Sequence, residues 1–357
     1  METASSTIVY IGTQVAETGR GIFAARLDQL TGRLTGLGPV AEVERPTWLL
    51  ADRARRVLYA VSEVGNAGDR DAEVLSFSIA GTDGALSLLS RANSGGRGAT
   101  HLELHPGGRR LFVANFGGGQ VASLPVADDG HVGPPLSVQT NHGSGPHRRQ
   151  TKPHAHGVTL DPAARFLLVP DMGADRVFVY RHDEATGALS PAECPYAQLP
   201  AGSGPRLTLF SRDGRFVFLL TELSAQIFVF RWDPSAGLLD EVASLAIDED
   251  ANPDDRSAAA FAMSRDGRFL YASNRRTSTL HVYAIDAETG GLRAVQAIAS
   301  GGARPWGIEM DPLDRWMLVA NQASNNVCVL AVDSATGRLS PVAGEIAVPV
   351  PTGLAVI

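Results

Sequence analysis

Residues 261–275 read FAMSRDGRFLYASNR. A short apolar segment enters a polar turn, Ser264 to Gly267, and leaves it through the alternating β-formers Phe269 to Ser273, which is the pattern of two antiparallel strands joined tightly. The pattern recurs at 48–63 (WLLADRARRVLYAVSE), 101–116 (HLELHPGGRRLFVANF), 156–172 (HGVTLDPAARFLLVPDM), 206–222 (RLTLFSRDGRFVFLLTE) and 307–322 (GIEMDPLDRWMLVANQ). The arginine that closes the turn is Arg56, Arg109, Arg165, Arg215, Arg268 and Arg315, giving steps of 53, 56, 50, 53 and 47 residues. A step of about 50 residues holds four strands and their turns, the size of a propeller blade.

The second half of each unit repeats as well. VFVYRHDEATGALSP (177–191), IFVFRWDPSAGLLDE (227–241), LHVYAIDAETGGLRA (280–294) and VCVLAVDSATGRLSP (327–341) are each a strand of period 2, an Asp-x-x-x-Gly turn and a further strand. Residues 6–43 supply only the second, third and fourth strands of a unit, and PTGLAVI at 351–357 matches a missing first strand. The expectation is an all-β, seven-bladed β-propeller with four antiparallel strands per blade, one domain over residues 1–357. Its last blade is closed by the N- and C-terminal strands, which removes the open sheet edges.

Composition agrees with many turns around a real core: 38 Gly and 21 Pro accompany 44% apolar residues. With 38 acidic and 31 basic side chains the net charge is −7, which excludes the clustered cationic surplus of a nucleic-acid binder. Cys194 and Cys328 stand in no CxxC pair, so neither a disulfide framework nor a structural zinc is expected. The start METASSTIVYIGTQ lacks the basic and apolar regions of a secretory leader, and no apolar run approaches the roughly 18 residues of a membrane span. The expectation is a cytoplasmic monomer or weak homo-oligomer with no membrane or nucleic-acid partner.

Loops joining fourth to first strands and second to third strands gather at one mouth of a propeller, and the unusual residues fall there. NHGSGPHRRQTKPHAHGV (141–158) carries Arg149, Lys152, His154 and His156; GSGPRLTLF (202–210) carries Arg206. Glu222 ends the second strand of that same unit and Arg275 that of the next. His154 and His156, two apart at the start of a first strand, are expected to point together toward the channel. Two such histidines can ligate a metal, but HxH alone is a weak signal without a third suitably spaced ligand, and no metal is expected. Two guanidiniums suit a substrate bearing carboxylate or phosphate oxygens. A carboxylate and an imidazole between them can serve as general base and acid, which is the equipment for opening or closing a lactone.

These blocks resemble the seven-bladed propeller lactonases over essentially the whole chain. The resemblance is carried by SGGRGATHLELHPGGRRLFVANFGGGQV (94–121), RQTKPHAHGVTLDP (149–162), GSGPRLTLF, TEL (221–223) and SRDGRFLYASNR (264–275). That family includes propeller-type 6-phosphogluconolactonases and the fungal carboxy-cis,cis-muconate cyclase. The resemblance implies a hydrolase of carbohydrate and glucose metabolism that opens a sugar lactone by water attack, without a cofactor, on a small anionic lactone. It implies His156, Arg206, Glu222 and Arg275 as catalytic, while His154, Arg149, Lys152 and Trp306 are expected to bind substrate. The chain departs from the family pattern at Leu207, Ala260 and Trp306, where His, an acidic residue and Arg are usual; Trp306 makes that side of the mouth less cationic and more stacking. The other readings are a lactonising cycloisomerase using the same quartet, and a non-catalytic interaction platform. The platform fits less well, since the repeats lack the Gly-His and Trp-Asp signatures of such propellers.

Overall fold

A computed structural model describes residues 6–15 and 21–357. The first five residues, part of the stretch read as no secretory leader, lie outside the described residues. The strands pair into seven four-stranded antiparallel sheets. In each, a short inner strand is followed outward by three others, as in the fifth blade: Pro205–Phe210, Phe216–Thr221, Gln226–Asp233 and Leu238–Ala246. The first blade is the expected composite. Pro351–Val356 pairs with Ser6–Thr13 in the register Val9 with Val356, Tyr10 with Ala355 and Ile11 with Leu354, and Ile22–Asp28 and Leu34–Ala41 complete it.

Alternation along each strand sends one set of apolar side chains to each neighbouring blade. Seven buried clusters result, one per interface, and the ring is continuous. Val9, Ile11 and Leu354 of the first blade share a cluster with Leu318 and Val327 of the seventh, while Tyr10 and Ala24 share one with Leu58 and Leu75 of the second.

The turn arginines that mark the sequence period have a structural task. Arg165 Nη2 donates to the carbonyl of Pro234 at 2.6 Å, Arg215 Nη2 to that of Ala287 at 2.6 Å and Arg268 Nη2 to that of Ser334 at 2.7 Å. Each acceptor lies in the outer turn of the next blade, so in blades four, five and six the repeated arginine latches blade to blade. The inner strands surround a central channel whose cavity is about 420 Å³, walled by Leu50, Phe261, Ile308 and Leu354.

Candidate active site

Second strands all end at the same mouth of the channel, and inner strands begin there. The residue following the second strand is Gln14, Glu63, Phe116, Met172, Glu222, Arg275 and Gln322 in blades one to seven. Arg206 and Trp306 stand near the starts of the inner strands of blades five and seven. Topology therefore brings together side chains far apart in sequence.

The fourth blade differs, because its inner strand is only Thr159–Leu160. The segment before it is held from below by Asp171, whose Oδ1 accepts from the backbone N–H of His154 at 2.7 Å. Gly204 places the next inner strand: its φ is +65°, and a Cβ there would lie 2.5 Å from Leu223 Cγ. Only glycine adopts that backbone at no steric cost.

Glu222 is the centre of the site. Its Oε2 accepts from Arg206 Nη1 at 2.5 Å, and its Oε1 accepts from Arg275 Nη2 at 2.8 Å and Arg149 Nη1 at 2.6 Å. The arginines are themselves oriented: Arg206 Nε donates to the Ala259 carbonyl at 2.7 Å and Arg275 Nε to Ser257 Oγ at 2.9 Å. Trp306 covers both guanidiniums, its ring centroid 5.4 Å from Arg206 Cζ and 4.5 Å from Arg275 Cζ, a geometry for cation–π attraction.

Burial would push the Glu222 carboxyl up, but the charges of Arg275, Arg206 and Arg149 outweigh it and hold the group well below the usual carboxylate range. Burial also lowers Arg206 to about 10, against the pull of Glu222. His156 accepts a hydrogen bond at Nε2 from Arg206 Nη1. A guanidinium has only donors, so Nε2 bears the lone pair and Nδ1 the proton. That Nδ1 is buried without a hydrogen-bond partner. Burial and the neighbouring Arg206 hold His156 well below its ordinary value, so it rests as neutral imidazole.

The expected quartet is thus one cluster. Within it, His156 Nε2 and Glu222 Oε2 are 3.7 Å apart and both face Arg206. Access to the cavity divides the cluster further. His156, Arg206 and Trp306 line the cavity, whereas Glu222 is 2% exposed behind them.

Arg149 lies at the cluster, but Lys152 spends its Nζ on the Gly117 carbonyl at 2.6 Å. His154 does not share the channel with His156. Its Nδ1 meets the Phe116 carbonyl at 2.8 Å, and its ring stacks on Phe116, whose edge contacts His156. The alternation that would aim both histidines one way needs a continuous strand, and here Ala155 pairs with Asp171 as an isolated bridge before the strand begins at Thr159. Two residues at this mouth escaped the sequence reading. Phe116 separates the histidines, and Glu63 occupies in blade two the place Glu222 holds in blade five; aligning the residues that follow each second strand would have found both. Among the described residues, no group of three or more His, Cys, Asp and Glu is placed to hold a metal ion. No helix among them is long and apolar enough to cross a membrane.

Comparison with known proteins agrees with this architecture. Residues 8–356 match the family model described as lactonase, 7-bladed beta-propeller. A Bacillus subtilis protein named 6-phosphogluconolactonase is 26% identical over 344 residues, 96% of each chain. One so named from Pectobacterium carotovorum is 31% identical over 277 residues, covering 76% of this chain and 78% of its own. Among solved structures, a periplasmic gluconolactonase of Pseudomonas aeruginosa superposes with a TM-score of 0.92 at 33% identity, covering 99% of both chains. The matched model spans nearly the whole ring, and the chain belongs to the seven-bladed β-propeller lactonase family.

Proposed function

We propose that the chain hydrolyses a sugar lactone, with 6-phosphogluconolactone as the leading substrate, at the mouth formed by blades four to seven. The observation that carries this reading is a single buried carboxylate, Glu222, clamped by guanidiniums beside a neutral imidazole where the channel opens. The names of the relatives, 6-phosphogluconolactonase and gluconolactonase, support the substrate class.

In the proposed reaction a water oxygen bonds to the lactone carbonyl carbon while Glu222 takes the water proton. The negative charge that develops on the carbonyl oxygen is met by N–H groups of Arg206 and Arg275, preorganised by Ala259, Ser257 and Trp306. Collapse breaks the bond from carbonyl carbon to ring oxygen, and the ring oxygen leaves with the proton returned by Glu222. The product is the open hydroxy acid. His156 positions Arg206 through Nε2; as neutral imidazole it is not the resting acid. Trp306 offers an apolar face against which a sugar ring can stack. Both cysteines are free thiols, in keeping with the cytoplasmic location we propose, which cell fractionation tests.

The test is proton release by the purified protein with 6-phosphoglucono-δ-lactone, glucono-δ-lactone, δ-valerolactone and a carboxymuconate. Hydrolysis of the sugar lactones is expected, with Glu222→Gln lowering kcat by about 10²- to 10⁴-fold, the usual worth of a positioned base. Cyclisation of the muconate without lactone hydrolysis would falsify the reading.

A further inference from the structure

Glu222 poses a problem for any base mechanism that uses it. Both oxygens are occupied, and at 2% exposure the carboxylate cannot meet a water molecule in this arrangement. Something must leave. Arg206 and Arg275 are buried, anchored at Nε to Ala259 and Ser257, and covered by Trp306. Arg149 differs on each count: its side chain is 43% exposed, and its one side-chain hydrogen bond is to Glu222 Oε1, an oxygen that Arg275 also serves.

The backbone beneath Arg149 is firmly held. Gln150 Nε2 donates to the Met172 carbonyl at 2.8 Å and to Asp175 Oδ1 at 2.7 Å, and the Arg149 N–H donates to His147 Nδ1 at 3.2 Å. Lys152 ties the far side to Gly117. A fixed loop thus presents one long, half-solvated cation over a buried carboxylate. Withdrawing it exposes Oε1 while Arg275 stays to keep that oxygen in place.

We propose that Arg149 is an exchangeable cap: it closes Glu222 in the free protein, and an anionic substituent on the lactone draws it away, freeing Oε1 to take a proton from water. This rests on the reading of Glu222 as the base, and it adds that recognition of the substrate's charge and exposure of the base are one event. A phosphate on the sugar competes for the guanidinium with more acceptor oxygens than one shared carboxylate oxygen offers. A neutral lactone has nothing with which to lift the cap, so it reacts only in the fraction of molecules in which Arg149 has already swung out.

Two lactones that differ only by a phosphate test this. For Arg149→Met, kcat/KM on 6-phosphoglucono-δ-lactone is expected to fall roughly 10- to 100-fold, the worth of a lost charge-assisted hydrogen bond. On glucono-δ-lactone kcat is expected to rise several-fold. The acid limb of its pH profile should move to higher pH, because of the cations facing Glu222 only Arg206 and Arg275 then remain, with His156 neutral beside them. Arg149→Lys, which keeps the charge without the fork, should restore part of the preference for the phosphorylated lactone. Parallel changes in the two substrates, in either direction, overturn the cap, as does an acid limb that stays in place. A chain unchanged in melting temperature shows that Arg149→Met has not merely unfolded the loop. The underlying reading fails separately: full activity of Glu222→Gln on both lactones removes the base, whatever Arg149 does.

Discussion

Arg206 serves three acceptors through one planar group: Glu222, His156 and the Ala259 carbonyl. An ammonium can point at any of them but cannot reproduce that fixed fork. Arg206→Lys is therefore expected to lower kcat by at least about 10²-fold, the scale of losing one oxyanion donor, in the lactone assay. Arg275→Lys should cost less, because Arg275 serves two acceptors, Glu222 Oε1 and Ser257 Oγ, where Arg206 serves three. The quartet was legible in sequence because each member falls in a place that the repeat sends to one mouth. The Arg149 ion pair and the Trp306 stack were not, because they are meetings of side chains from blades four, five, six and seven, and no periodicity encodes rotamers. Two carboxyls deeper in the inner strands add a pH effect. Burial pushes Glu103 up to about 8, and pushes Glu309 up to about 7 against the charge of Arg53. With folded values raised above unfolded ones, their contribution is whole below about pH 4.5 and is lost as pH rises through 7 and 8. Buried histidines such as His101, lowered to about 3, act in the opposite sense, losing stability as pH falls below about 6.5. Between about pH 6.5 and 8 the carboxyls thus dominate. Glu103→Gln with Glu309→Gln should flatten the decline of the unfolding midpoint there, and an equally steep decline would refute the assignment.

At the scale of the element, the recurring unit is as much an interface device as a pair of strands. In blades four to six its arginine latches the next blade's outer turn, and the glycine ending such a turn packs on the aromatic residue that opens the neighbouring second strand. Gly237 faces Phe166, Gly290 faces Phe216, Gly337 faces Phe269 and Gly32 faces Trp316. The Asp-x-x-x-Gly turn was visible in the sequence as local chemistry; its partner was not, since the aromatic lies in the preceding blade. Gly290 has φ +73°, and a Cβ there would come within 2.6 Å of Phe216 Cδ1. Gly290→Ala should accordingly cost about 2 kcal/mol or more, the sum of a left-handed backbone and an overpacked contact. Gly36, in the outer strand of the first blade, has open space where its Cβ would stand. Gly36→Ala is the control, expected within about 0.5 kcal/mol of the parent in chemical denaturation. If the two variants unfold alike, the glycine–aromatic contact does not hold the blades together.

For the whole molecule the decisive feature is closure. Six complete repeats were countable from the arginines alone, and the seventh was inferred from three leftover strands at one end and one at the other; the register of their pairing needed the structure. Seven interfaces in a ring give each blade two neighbours, so opening any one interface exposes two apolar faces at once. Six interfaces join consecutive stretches of chain, and the first blade's innermost pairing joins residues more than 300 positions apart. Its inner strand is buried along its length, places Leu354 and Val356 in the cluster shared with blade seven, and gives Ala355 to the cluster shared with blade two. Arg53 Nε of blade two donates to the Val356 carbonyl at 3.1 Å, tying the strand from the other side. Deleting residues 351–357 strips these contacts and leaves Ser6–Thr13 as an open edge. Burial of a Leu or Val side chain is worth about 1.5–3 kcal/mol, so the loss should reach about 5 kcal/mol once the lost backbone pairing is included. Against a total of roughly 5–15 kcal/mol, that loss should lower the thermal midpoint sharply. A synthetic PTGLAVI peptide added to the truncated chain should recover part of the midpoint in a concentration-dependent way, because it binds only the closed ring. A truncated chain that melts with the parent, or one that the peptide leaves unmoved, would mean that packing between blades one and seven closes the ring without the strand.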